Sequence, residues 1–186
     1  TKSIVLITTT DKQRTISKEV ILKGVGLHTG EDVTMKFVPA PENHGYAFKR
    51  VDLEGQPVIE ADANYVINTQ RGTNLEKNGV KIQTSEHVLA ALVGMEIDNV
   101  LIELNAPEPP IMDGSSIAFV EAIKQAGIKT QQAMLTYFEV KTPLYFKDDK
   151  SGAEFHLLPA DTFQVTTMVD YKTKVLGTQH ASIKHI

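Results

Sequence analysis

Glu86 and His87 are adjacent in Thr84-Ser85-Glu86-His87-Val88-Leu89-Ala90-Ala91-Leu92-Val93-Gly94, and a carboxylate beside an imidazole is the pairing of a general base with a metal ligand. Thr84 or Ser85 suits an N-cap, the apolar residues that follow keep a helical spacing, and Gly94 suits a stop. Both side chains then fall in the first helical turn. Unpaired N–H groups and the helix dipole there favour a carboxylate and disfavour imidazolium, the states a base and a zinc ligand need. Taken alone, the same two residues favour an ordinary helix start, with Glu86 placed for the dipole and His87 at the surface or in a satisfied core.

Other candidates are weaker alone. In Gly24-Val25-Gly26-Leu27-His28-Thr29-Gly30 three glycines let the backbone turn closely and present His28 from a tight loop. It is not a phosphate-binding loop, since no Gly-Lys-Ser/Thr ending and no helix follow it. Asp113, in Met112-Asp113-Gly114-Ser115, suits a cap for a second helix or for its own turn. His44, in a Pro/Asn/Gly loop, and His156, on an expected strand, read as incidental. His180 and His185 are five apart, on different faces of a helix or a strand. No His-Glu-x-x-His, His-x-x-x-His or Asp-rich calcium loop is present, so the motifs supply one ligand and one base.

The elements that must position these groups are short strands, tight turns and two helices. Ser17 to Leu22 and Val33 to Val38 alternate as strands around the glycine loop, and Tyr46 to Val51 resumes after Pro39, Pro41, Asn43 and Gly45. Asn78-Gly79 predicts a type I′ hairpin joining Thr73–Glu76 to Val80–Gln83, which delivers the chain to Glu86. Asn99 to Leu104 reads as a buried strand. Pro107, Pro109 and Pro110 then interrupt, and a helix runs from about Ser116 to Ala126, closed by Gly127. Gly127 to Gln132 is polar and reads as a linker. Beyond it Tyr137–Val140, Tyr145–Lys147, Ala153–Leu157 and Phe163–Val169 read as strands, with 148–152 as a hairpin turn. No helix is expected to cover them, and a bare apolar sheet face must pack on another layer, so this portion reads as the opening of a second domain.

Composition excludes several classes. The 186 residues, 41% hydrophobic and 23% charged with a net charge of −4, are those of an ordinary globular protein. There is no basic block, so no nucleic-acid groove or polybasic membrane patch is expected. Without cysteine any transition metal must be held by His, Asp or Glu, and the cytoplasm is the expected compartment. The opening Thr1–Thr10 has only four apolar residues in a row, too few for a signal sequence or a membrane span; it reads as an edge strand or a tag-like extension. The chain starts at Thr and stops in mid-pattern at His185-Ile186, as a processed or truncated piece would.

Three segments occur together and in order: Gly24 to Gly30; Ser85 to Leu92; and Asp98-Asn99-Val100 followed by Ala106-Pro107-Glu108-Pro109-Pro110-Ile111-Met112-Asp113-Gly114-Ser115. With these, from about Thr15 onward, the chain resembles UDP-3-O-acyl-N-acetylglucosamine deacetylase, the zinc hydrolase of lipid A synthesis, and in its local wording the form fused to a 3-hydroxyacyl-carrier-protein dehydratase in some Gram-negative lineages. The resemblance implies that Glu86 is the general base, that His87 is the first zinc ligand, and that His28 and Asp113 support ligands or substrate. It further places Thr69, just before Arg71-Gly72-Thr73, along the same cleft, and Tyr171 against the uridine of a UDP-linked acyl sugar. The family's other zinc ligands, in a His-Lys-x-x-Asp segment, and its acid histidine do not occur in these 186 residues. The chain alone is therefore expected to be inactive.

The implied fold is α+β: a two-layer sheet/helix sandwich domain, ribosomal protein S5 domain 2-like, plus the beginning of a second similar domain. The expected divisions are an extension over 1–14, domain I over 15–130 and the incomplete domain II over 131–186. The alternative is a non-catalytic binding or scaffold domain of the same fold that keeps Glu86-His87 only as a helix start. A phosphate-handling enzyme is disfavoured by the lack of a loop lysine.

Overall fold

Every second residue of 33–37 and of 100–104 is apolar, a pattern that buries one face of a sheet and leaves the other to water. A computed structural model, describing residues 2–69, 71–171 and 173–184, shows both segments as central strands. The chain forms two units, Asp11–Met134 and Thr1–Thr10 with Leu135–Ile186. Its first elements are β1 (Ile4–Ile16), β2 (Val20–Val25), β3 (Asp32–Pro39), β4 (Tyr46–Arg50) and β5 (Val58–Glu60). A single 3-10 turn, Ala63–Tyr65, leads to β6 (Val66–Asn68), β7 (Asn74–Lys77), β8 (Val80–Ile82) and α1 (Glu86–Gly94). After β9 (Val100–Leu104) and α2 (Ile117–Ala126) come β10 (Ile128–Val140), β11 (Leu144–Lys147), β12 (Glu154–Leu157), β13 (Val165–Asp170) and β14 (Thr178–Ile183).

In the larger unit a five-stranded sheet runs in the order β2-β3-β9-β4-β5, antiparallel except where β4 lies parallel to β9. Its register aligns Val20, Phe37, Ile102, Phe48 and Ile59 in one row across all five strands. All five are buried, and they share one core with Val88, Ala91 and Leu92 of α1 and with Phe119, Ala122 and Ile123 of α2. Burying each large apolar side chain stabilises the fold by about 1.5–3 kcal/mol, so this face fixes where both helices lie. On the other face Glu103 lies between Lys36 and Lys49, at 3.0 and 3.2 Å. The fold class is thus α+β, as expected.

The hairpin forms as predicted: Leu75 faces Ile82, and Asn78 and Gly79 take φ of 51° and 79°, the left-handed values a type I′ turn requires. β6 joins it as a third strand. The linker expected at Gly127 to Gln132 is corrected. Gly127 closes α2 with φ 73°, but residues 128–132 begin the thirteen-residue β10, which pairs with β1 in a two-stranded sheet. Of the polar side chains that suggested a linker, that of Gln131 is held within the larger unit. Asn99 Nδ2 donates to Gln131 Oε1 at 2.8 Å and to Gln13 Oε1 at 2.9 Å, and Gln131 Nε2 donates to the Ala40 carbonyl at 3.0 Å.

The smaller unit carries two antiparallel hairpins, β11–β12 and β13–β14. The turn at 148–152 is as predicted, with the Gly152 amide donating to the Asp148 carbonyl at 2.7 Å. No described residue of this unit is buried. Among the described residues no helix is long and apolar enough to cross a membrane.

Candidate functional site

Glu86 and His87 open α1, and the backbone that brings them there bends sharply. Thr84 has φ 50°, a left-handed conformation that strains a β-branched residue by about 1–3 kcal/mol and persists only where surrounding contacts hold it. Both residues expected as caps are used otherwise. Ser85 stands at the N-cap, but its hydroxyl donates to the Thr73 carbonyl at 2.9 Å and makes no cap bond. The Thr84 hydroxyl donates to Glu108 Oε1 at 2.7 Å. Tertiary partners outcompete the local cap here: the buried Glu108 carboxylate takes the Thr84 hydroxyl, and the Thr73 carbonyl takes both the amide and the hydroxyl of Ser85.

The Glu86 carboxylate is oriented from the hairpin side, with Oε2 accepting the Thr73 amide at 2.8 Å. Its other oxygen lies 3.9 Å from His87 Nε2, and the two side chains are 38% and 32% exposed, so solvent reaches both. The loop lies against the carboxylate: a Cβ on Gly72 would sit 3.4 Å from Glu86 Oε1, an ordinary contact distance. The Ser116 hydroxyl, at the head of α2, donates to the His87 carbonyl at 2.9 Å and ties the two helix starts together.

His28 is exposed, and its Nε2 lies 3.2 Å from the Arg71 carbonyl, two residues before the amide that holds Glu86. The structure therefore brings His28 and Glu86-His87 onto the same Arg71-Gly72-Thr73 loop. Thr69 is exposed just after β6. Asp113 bonds within its own turn, accepting the amide and hydroxyl of Ser115 at 3.0 and 2.8 Å; of its two expected roles the turn is realised and the helix cap is not. These bonds hold its carboxyl below the usual range. Tyr171 belongs to the smaller unit, exposed at the end of β13, where its amide donates to the Gly177 carbonyl at 2.9 Å. His44 Nδ1 meets the neighbouring Gly45 carbonyl, the His156 ring packs on Tyr145, and His180 lies in β14. His185 lies outside the described residues.

Glu108 is the residue that sequence reading passed over. It is fully buried, with Oε2 accepting the amides of His28 and Thr29 at 2.9 and 3.1 Å and Oε1 accepting the Thr84 hydroxyl. Burial alone would raise its carboxyl, but those three donors and the nearby His28 outweigh it and hold it below the ordinary glutamate value. A signal was available. Glu108 is the one charged residue in the apolar run 106–111, and a buried carboxylate must find partners.

His87 suits zinc as a single imidazole ligand. Among the described residues no group of three or more His, Cys, Asp or Glu side chains is placed to hold a metal ion, so they do not by themselves supply the three protein ligands that a catalytic zinc site takes.

In this α+β chain a carboxylate fixed by a backbone amide thus lies beside an imidazole at a helix start. Residues 13–186 match the family model of UDP-3-O-acyl N-acetylglycosamine deacetylase, LpxC, and the chain belongs to that family. It is 44% identical over 173 residues to a bifunctional enzyme LpxC/FabZ of Bacteroides thetaiotaomicron, covering 93% of this chain and 38% of that one. With the like-named protein of Chlorobaculum tepidum it shares 45% over 171 residues, 92% and 37% of the two chains. With a UDP-3-O-acyl-N-acetylglucosamine deacetylase of Methylococcus capsulatus it shares 42% over 175 residues, 93% and 57%. The chain thus spans well under two thirds of the relatives it matches.

Proposed function

We propose that this chain is the base-bearing part of a zinc-dependent hydrolase that removes the N-acetyl group from UDP-3-O-acyl-N-acetylglucosamine in lipid A biosynthesis, in the cytoplasm of a Gram-negative bacterium. The observation that carries the reading is Glu86, one oxygen fixed by the Thr73 amide and the other 3.9 Å from His87, in a chain whose family bears the name of that deacetylation. The free oxygen of Glu86 takes a proton from the attacking water, and the acid histidine of the whole polypeptide protonates the leaving amine. His87 contributes one zinc ligand; zinc, when bound, brings water toward neutral pKa and polarises the amide carbonyl. His28, Thr69 and Asp113 support ligand and substrate, and Tyr171 meets the uridine.

The remaining ligands are assigned to a His-Lys-x-x-Asp segment of the whole polypeptide, so this chain alone is inactive. The larger unit is taken as ribosomal protein S5 domain 2-like, and the names of the bifunctional relatives support a fused dehydratase in the full-length protein.

Acetate release from the UDP-sugar by the full-length protein tests the reading. Glu86→Gln should lower kcat by roughly 10²–10⁴-fold with zinc retained, and His87→Ala should lose the zinc. Wild-type turnover in Glu86→Gln, or stoichiometric zinc with turnover in the 186-residue chain, would sink it.

A further inference from the structure

A carboxylate stays buried only where its charge is met by well-placed donors. Glu108 is met by two different segments, the glycine loop through the amides of His28 and Thr29 and the entry to α1 through the Thr84 hydroxyl. It stands on a third. Pro107, Pro109 and Pro110 stiffen that segment, which is anchored where the Gln83 amide donates to the Pro107 carbonyl at 2.8 Å and the Ile111 amide to the Val25 carbonyl at 2.9 Å. The glycine loop is fitted to it, since a Cβ on Gly26 would lie 2.8 Å from Glu108 Oε2 and one on Gly24 2.9 Å from Pro110 Cβ. Thr84, held at φ 50°, lies two residues before Glu86. The direction in which α1 sets out therefore depends on the bond to Glu108.

We propose that Glu108 is a positioning residue of this site: by bridging the His28 loop and Thr84 it fixes His28 relative to the Glu86-His87 pair, and so sets turnover without touching the substrate. This rests on the function proposed above. The bridge works through hydrogen-bond geometry, so glutamine should serve, its carbonyl accepting both amides and its NH₂ donating to the Thr84 hydroxyl.

The test uses the full-length protein containing this chain, with Glu108→Ala, Glu108→Gln and Thr84→Val. Glu108→Ala should lower kcat on the order of 10²-fold, the scale of a misplaced catalytic group, with KM little changed. The Thr73 amide proton resonance should shift, although that amide bonds Glu86 and not Glu108. Glu108→Gln should recover most of kcat and return that resonance. Thr84→Val, which serves if the alanine variant does not fold, should lose roughly tenfold, the weight of one hydrogen bond to a charged group. A folded Glu108→Ala or Thr84→Val variant with wild-type kcat and an unmoved Thr73 amide overturns the proposal, and so does a Glu108→Gln variant as slow as the alanine one. Should the wild-type protein release no acetate, the functional reading falls, and the Thr73 resonance alone decides: shifted in Glu108→Ala, the bridge stands; unshifted, it does not.

Discussion

At Gly26 one added carbon would meet two polar atoms at once, Thr29 Oγ1 at 2.3 Å and Glu108 Oε2 at 2.8 Å. Gly26→Ala should therefore cost about 1–3 kcal/mol of overpacking, read as a lower urea midpoint; an unchanged midpoint would show that the loop does not depend on this fit. Glu108 also makes a pH prediction. Its carboxyl lies below the usual 4.5 in the folded protein, so its contribution is fully present above about pH 4.5 and is lost as pH falls through the folded value. Glu108→Gln should flatten that part of the acid-unfolding curve, and a variant whose acid midpoint tracks the wild type would refute the assignment. Glu86 and His87 were legible as a pair because adjacency needs no fold. Glu108 was signalled only by its apolar surroundings and its role was not legible, because its partners come from positions 28, 29 and 84.

Elements with one apolar face could be read directly. Val33, Met35 and Phe37 announce a half-buried strand by alternation, the apolar run 100–104 announces a buried one, and Asn78-Gly79 announces its hairpin. Only the end of β10, Tyr137–Val140, could be read this way; of its polar opening residues 129–132, Gln131 alone is half-buried and the others are exposed. Alternation detects apolar faces only, so Gln131 resembled loop. The Asn99 side chain makes the distinction, donating to Gln13 and Gln131 while its Oδ1 accepts the Gly45 amide at 2.8 Å. Asn99→Ala should strand these buried groups and destabilise the chain by about 1–3 kcal/mol, measured by urea unfolding. A cost within experimental error would mean that water replaces the asparagine.

For the molecule as a whole, stability is distributed unevenly. The core belongs to residues 11–134, whereas the hairpins β11–β12 and β13–β14 bury no described residue, and Phe138, Phe146, Phe155, Phe163 and Met168 are all more than half exposed. Amides protected only by exposed hydrogen bonds open at low free-energy cost. In the 186-residue chain, hydrogen exchange should be fast throughout β11–β14 and slow in β3 and β9. Equal protection in the two sets would contradict this reading of the smaller unit. Their apolar, helix-free character was legible from Tyr137 onward. β14 was not, because Thr178 to Ile183 is mostly polar or small and is recognisable as a strand only from its pairing with β13.

The sequence by itself determined the chemistry on offer: a carboxylate next to an imidazole at a helix start, a glycine loop presenting a histidine, and an order of motifs that assigns the family. These are properties of neighbours along the chain. Only the tertiary structure decided how that chemistry is held. It gave the caps Thr84 and Ser85 other partners, tied His28 and Glu86 to one loop, and buried Glu108 beneath them. Each of these arrangements is a bond between distant segments, and a buried polar atom takes whichever partner the packing brings within reach.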